Sequence, residues 1–178
     1  MEEFGTATAV DTLRIERLLP GPIERVWSYL TESEKRKLWL AAGEADLRSG
    51  GKIVHVFRNS DLCEDGDLPP EKYAGLNQEF VLNCTVTACD PPRLLSYLWG
   101  DAEDASEVRF ELTEEGEKVR LVVTHRRLRD RDIMLSVSAG WHAHLGILID
   151  LLEGRRPQSF WSTQSRLEKE YDRRLPGR

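Results

Sequence analysis

Apolar positions in this chain repeat with two different periods, and the switches between them outline its architecture. Leu13–Leu19 (LRIERLL) carries apolar residues at near-alternate positions and stops at Pro20-Gly21-Pro22, which predicts a strand followed by a breaker. Ile23, Val26, Trp27 and Leu30 then recur at helical spacing, with Pro22 where a first helical turn tolerates it. A second short helix is expected from Ser33 to Leu40, capped by Ser33 and with Leu38 and Trp39 on its apolar side.

Period two governs the middle of the chain. Gly50-Gly51 marks a turn, and Lys52–Arg58 (KIVHVFR) reads as a strand. Phe80, Leu82, Cys84, Val86 and Ala88 alternate with polar partners until Asp90-Pro91-Pro92 breaks the run. Further alternating sets are Leu95, Tyr97 and Trp99; then Val108, Phe110 and Leu112; then Val119, Leu121, Val123 and His125. Short turns between such strands imply an antiparallel meander with one face that needs a cover. The cover is a long helix from about Ile133 to Glu153, whose face of Val137, Trp141, Leu145, Leu148 and Leu152 is closed by Gly154. Between the strands, residues 59–78 are polar, acidic and broken by Gly and Pro, a loop long enough to act as a lid. A last helix, marked by Phe160, Gln164, Leu167 and Tyr171, has a thin apolar stripe and a charged surface and is expected to be a peripheral arm over about 158–174.

Strand, two short helices, six strands and a long helix make the helix-grip order: an α+β fold, with a curved antiparallel sheet wrapped around a long C-terminal helix. One domain over 1–178 is expected, with its core at about 8–153. Particular motifs point the same way. Pro22-Ile-Glu-Arg-Val-Trp27, Asp90-Pro-Pro-Arg-Leu-Leu-Ser-Tyr-Leu-Trp99, Val119-Arg-Leu-Val-Val-Thr-His125 and Gly140-Trp-His-Ala-His-Leu145 occur in the order of a known family. The chain resembles the activator of heat-shock-protein-90 ATPase homologue branch of the START-like (SRPBCC) superfamily. That resemblance implies a cavity for apolar or aromatic molecules between sheet and helix. It also implies a possible protein partner, because the eukaryotic namesake stimulates a chaperone ATPase by contact.

Composition narrows the partners. A net charge of −6 disfavours nucleic acid, since affinity for phosphates comes from concentrated Lys and Arg. The three cysteines (Cys63, Cys84, Cys89) form no paired framework, and residues 1–12 lack a basic, apolar leader, so a reducing cytoplasm is expected. The apolar run at Leu145–Leu152 is far short of the ~20 residues needed to span a bilayer. The Arg-rich stretch Arg126–Arg131 is a solvated connection that could meet an acidic partner or an anionic ligand.

No nucleophile, phosphate-loop or dinucleotide motif is present, so no catalytic residue and no cofactor is assigned. His142 and His144 stand about 200° apart on a helix and cannot share one ion, and four dispersed histidines make no metal site. One of that pair is expected at the cavity rim and the other toward water or the sheet edge. His55 reads as a satisfied core group, whereas His125 is either that or a polar handle in an apolar pocket. Cys84 reads as a small core hydrophobe, Cys63 as exposed, and Trp27 as core. The expected ligand-binding lining is Trp39, Phe57, Tyr97, Trp99, Phe110, Leu121, Val123, His125, Trp141 and Leu145, with loop 59–78 as gate. Three functions fit: a binding module for a small apolar or aromatic molecule, a co-chaperone-like interaction module, or a cyclase- or hydrolase-like enzyme. A homodimer is a further possibility.

Overall fold

The computed structural model describes residues 3–177. Its sheet has seven antiparallel strands: β1 (Thr6–Ala9), β2 (Thr12–Pro20), β3 (Lys52–Phe57), β4 (Phe80–Asp90), β5 (Leu94–Trp99), β6 (Ser106–Glu115) and β7 (Lys118–Arg126), in the order β1-β2-β7-β6-β5-β4-β3. Five strands, not six, follow the two short helices. The seventh is β1, which forms a hairpin with β2. Thr6-Ala-Thr-Ala9 has almost no alternation, so its strand character comes from pairing rather than pattern.

The alternation seen in the sequence becomes a single inward face. Register places Ile15 beside Val123, Val123 beside Phe110, Phe110 beside Leu95, and Tyr97 beside Val86. A bulge between Val86 and Ala88 bends β4 and adds to the curvature of the sheet. The outer edge of β3 is covered, because the segment after the second short helix bridges it at Ala42 and Ala45.

The described residues also form four α-helices, α1 (Ile23–Thr31), α2 (Ser33–Arg36), α3 (Arg131–Leu152) and α4 (Phe160–Arg174), and two short 3-10 helices, Asn59–Leu62 and Glu71–Leu76, within the long loop. Helix α2 is shorter than expected, and Ser33 does not cap it; its Oγ accepts from the Gly43 N–H instead. Arg36, unremarkable in the sequence, is fully buried and donates to the carbonyls of Thr31, Ala41, Gly43 and Val54. Gly43 is obligatory in this stitch: its φ is 117°, and a Cβ there would lie 2.0 Å from the Val54 carbonyl oxygen.

The ends of α3 are secured from both sides. Asp130 accepts from the Ile133 N–H at 2.9 Å, and Arg25 of α1 donates to the Leu152 carbonyl at 3.1 Å. By length and composition alone Arg131–Leu152 could cross a membrane, but 61% of its most apolar window is buried inside the fold, as suits a core helix. Its inward face packs on the sheet, and a second face receives α4.

That last contact corrects the reading of α4 as a peripheral arm. Phe160, Trp161, Leu167 and Tyr171 are buried in the main core, and Gln164 is buried beside them. The stripe looked thin because Gln164 interrupts it and Trp161 extends it sideways. Tyr171 adds a polar tie, accepting from the Gly5 N–H at 2.8 Å and lying 3.0 Å from His142 Nδ1.

Candidate functional site

Antiparallel pairing brings one end of every second strand to the same side of the sheet. Phe57 ends β3, Phe80 and Leu82 begin β4, Trp99 ends β5, and His125 lies near the end of β7. These five form the sheet wall of a cavity of about 270 Å³. The opposite wall is the first half of α3, which presents Ser136, Val137, Gly140, Trp141 and His144 on successive turns. Phe160, Trp161 and Gln164 of α4 close one side, and Asn59, Tyr73 and Leu76 of the long loop close another, with Leu40 beneath. The volume lies just under the ~300 Å³ at which ordinary ligand sites begin, which suits a compound of one or two rings.

Aromatic rings make most of the lining. Phe57 stacks on Phe80 at 4.8 Å between centroids, Trp99 meets Trp141 edge-on at 5.4 Å, and Phe160 meets Trp161 edge-on at 4.9 Å. Gly140 makes the hollow possible: a Cβ there would meet nothing within 4 Å. A side chain of ordinary size at this point of α3 would fill the space.

Four of the ten expected lining residues face this cavity: Phe57, Trp99, His125 and Trp141. The other six, Trp39, Tyr97, Phe110, Leu121, Val123 and Leu145, are packed solid in the core, none more than 2% exposed. Tyr97, Phe110, Leu121 and Val123 have the correct phase but lie further along the sheet, and Trp39 and Leu145 belong to the same core cluster. Period two tells which face a side chain takes, not how far along the strand the space opens. The wall from α4 escaped sequence reasoning altogether, and the loop was expected as a gate without its lining residues Asn59, Tyr73 and Leu76. The signal that could have exposed them is Gly140 within an otherwise bulky inward face.

The histidines resolve into distinct roles. His125 accepts from the Trp141 indole N–H at Nδ1 (3.0 Å), so Nε2 carries the proton and donates to Ser106 Oγ (2.8 Å). Burial holds it neutral, its pKa pushed down to about 3. It therefore lines the cavity while orienting Trp141. His144 donates from Nδ1 to the Trp39 carbonyl at 2.7 Å, and burial lowers its pKa to about 4. His142 faces neither water nor a sheet edge; it is buried against Tyr171 and Phe4. His55, beside Tyr97 Oη at 3.0 Å, is held down to about 3 by burial and, secondarily, by the Arg36 charge, and its Nδ1 has no partner.

Among the described residues no group of His, Cys, Asp or Glu could hold a metal ion. Cys84 is buried, and desolvation raises its thiol to about 11. Cys63 is half-buried rather than exposed, donating to the Asn59 carbonyl at 3.2 Å. Trp27 is half-buried against the core. The Arg-rich connection is spoken for: Arg126 pairs with Glu107, Arg127 donates to the Ala105 carbonyl, and Arg129 and Arg131 pair with Asp104 and Asp172.

The loop is latched to α4. Tyr73 Oη donates to Glu168 at 3.0 Å, Ser159 Oγ to Asp67 at 2.5 Å, and Trp161 Nε1 to Asn77 at 2.8 Å; Lys72 also pairs with Glu168. Of its 20 positions, several therefore join loop to helix across the cavity mouth.

A bent antiparallel sheet closed by a long helix around an aromatic hollow defines a helix-grip α+β protein. The sequence profile of the activator of Hsp90 ATPase homolog 1-like proteins matches residues 20–153, and the chain belongs to that family. Among solved structures, the protein encoded by gene BPP1335 from Bordetella parapertussis is 43% identical, with TM-score 0.80 over 97% of this chain and 91% of that one. CalU16 from Micromonospora echinospora is 20% identical, with TM-score 0.64 over 91% and 86% of the two chains. DynU16, described as a putative protein in the dynemicin biosynthetic locus, is 21% identical, with TM-score 0.61 over 82% of this chain and 48% of that one. The latter two are likenesses of fold alone. No curated protein matches the chain.

Proposed function

We propose that this protein is a binding module for a small apolar or aromatic molecule, held between the strand ends, the first half of α3, α4 and the long loop. The observation that carries the reading is the hollow itself. A domain able to close six of its inward aromatics and aliphatics into solid core leaves Phe57, Phe80, Trp99 and Trp141 around open space, with Gly140 keeping it clear. Close packing is the rule in protein interiors, so a retained apolar void calls for an occupant. Loop 59–78 acts as the gate, its latches to α4 opening and re-forming as ligand enters.

Acid–base catalysis is less well supported than binding. The cavity lining contains no carboxylate, and its two imidazoles are poor bases at neutral pH because burial has lowered their pKa values to about 3 and about 4.

Native mass spectrometry of freshly purified protein tests the reading. A co-purified compound of low mass, or uptake of one from a panel of neutral aromatics, is expected for the wild type. Gly140→Leu, which grows into the hollow, should lose it while remaining folded. A wild type that takes up nothing from such a panel contradicts the reading.

A further inference from the structure

Three buried polar side chains among the lining restrict what can occupy the cavity. His144, Asn59 and Gln164 all line it, and each is at least nine-tenths buried. His144 Nδ1 faces the Trp39 carbonyl, which can only accept, so the proton sits on Nδ1 and Nε2 is left as a bare acceptor. Asn59 donates through Nδ2 to the Leu76 carbonyl at 3.2 Å, and Gln164 donates through Nε2 to Glu168 Oε2 at 3.0 Å. Acceptor-only partners fix both amide orientations. Asn59 Oδ1 and Gln164 Oε1 are then turned away from those partners, buried and without any hydrogen bond.

Buried polar groups are almost always paired, and two orphaned amide oxygens beside one apolar cavity are uncommon. Resting on the binding reading above, we propose that the ligand is an uncharged one- or two-ring aromatic compound bearing a hydroxyl donor, which His144 Nε2 receives and toward which the enclosed oxygens of Asn59 and Gln164 turn as further acceptors. A carboxylate in the same place would meet three acceptors and no counter-charge. An ammonium would surrender its hydration to a lining without a carboxylate. The Ser136 hydroxyl and the Trp99 indole N–H also belong to lining residues and form no hydrogen bond among the described residues. A hydroxyl, which accepts as well as donates, suits them too.

A matched series separates this proposal from the binding reading beneath it. Naphthalene, 2-methoxynaphthalene, 2-naphthol and 2-naphthoate share shape and differ in donor and charge, and calorimetric titration at pH 7 ranks them. The expected order is 2-naphthol about tenfold tighter than naphthalene and 2-methoxynaphthalene, with 2-naphthoate weakest. Gln164→Met and His144→Phe should each reduce the 2-naphthol preference, read as the ratio of 2-naphthol to naphthalene affinity on the same variant. Gln164→Met keeps the test open if His144→Phe, which loses its bond to Trp39, fails to fold. Equal affinity for naphthalene and 2-naphthol, or tightest binding of 2-naphthoate, overturns the donor proposal and leaves the cavity reading intact. Binding of none of the four overturns both.

Discussion

The two ends of the same inward face differ in how they are filled. At one end Tyr97, Phe110, Leu121, Val123 and Leu145 interlock with no residual space; at the other Phe57, Phe80, Trp99 and Trp141 stand around a hollow of about 270 Å³. The residue types are alike, so composition does not make the difference. What differs is the cover. Over the packed end α3 offers Leu145 and Leu148; over the hollow end it offers Gly140, and α4 and the loop close the remaining gap from the side. The lesson is that one glycine and a sideways wall can turn a core into a container without altering the strand pattern.

Truncation should break the symmetry most strongly. Leu121→Ala removes a fully buried side chain from the packed end and should cost about 3 kcal/mol. Leu82→Ala removes the same atoms from a half-buried position beside the hollow and should cost about 1 kcal/mol or less. Urea denaturation midpoints at unchanged m-value check both, and equal costs would erase the distinction between the two ends. Arg36→Leu tests the stitch below the packed end. Four carbonyls would lose their donor, and a loss of about 3 kcal/mol is expected in the same assay.

Protonation gives the next effect. His55, His125 and His144 titrate near 6.5 in the unfolded chain but at about 3, 3 and 4 when folded. The unfolded state therefore binds more protons between those limits. Stability from these groups is whole above about pH 6.5, falls as pH drops through the window, and levels off only below about 3. The slope of unfolding free energy against pH near pH 5 should approach three protons. A flat profile there would mean that the imidazoles are not held neutral by burial.

The smallest effect sharpens the comparison most cleanly. Gly140→Ala replaces a helix-interior glycine where a methyl meets nothing, and should stabilise the protein by up to about 1 kcal/mol. Thermal unfolding of the ligand-free protein checks it; destabilisation would show that Gly140 packs against something.

Much of this was legible in the chain. Alternation through Leu95–Trp99, Val108–Leu112 and Val119–His125 sets the inward face, and the helical repeat through Trp141 and Leu145 sets its cover. The depth of the hollow was not legible, since Tyr97 and Trp99 share a phase and differ only in position along one strand. Nor were Phe160, Trp161 and Gln164, because their contribution comes from the angle at which α4 meets α3, which no periodicity in α4 records. Arg36 was equally silent; its carbonyl partners come from four separate positions that only the fold assembles.

Five tryptophans sample both ends, which makes their indole N–H resonances the most direct probe of the central claim. Two-dimensional ¹H–¹⁵N spectra recorded during titration with naphthalene should move the indole signals of Trp99, Trp141 and Trp161, leave those of Trp27 and Trp39 in place, and show no movement in Gly140→Leu. Shifts at Trp39 equal to those at Trp141, or an unchanged response in Gly140→Leu, would contradict the claim that the hollow end, and not the packed end, receives the ligand.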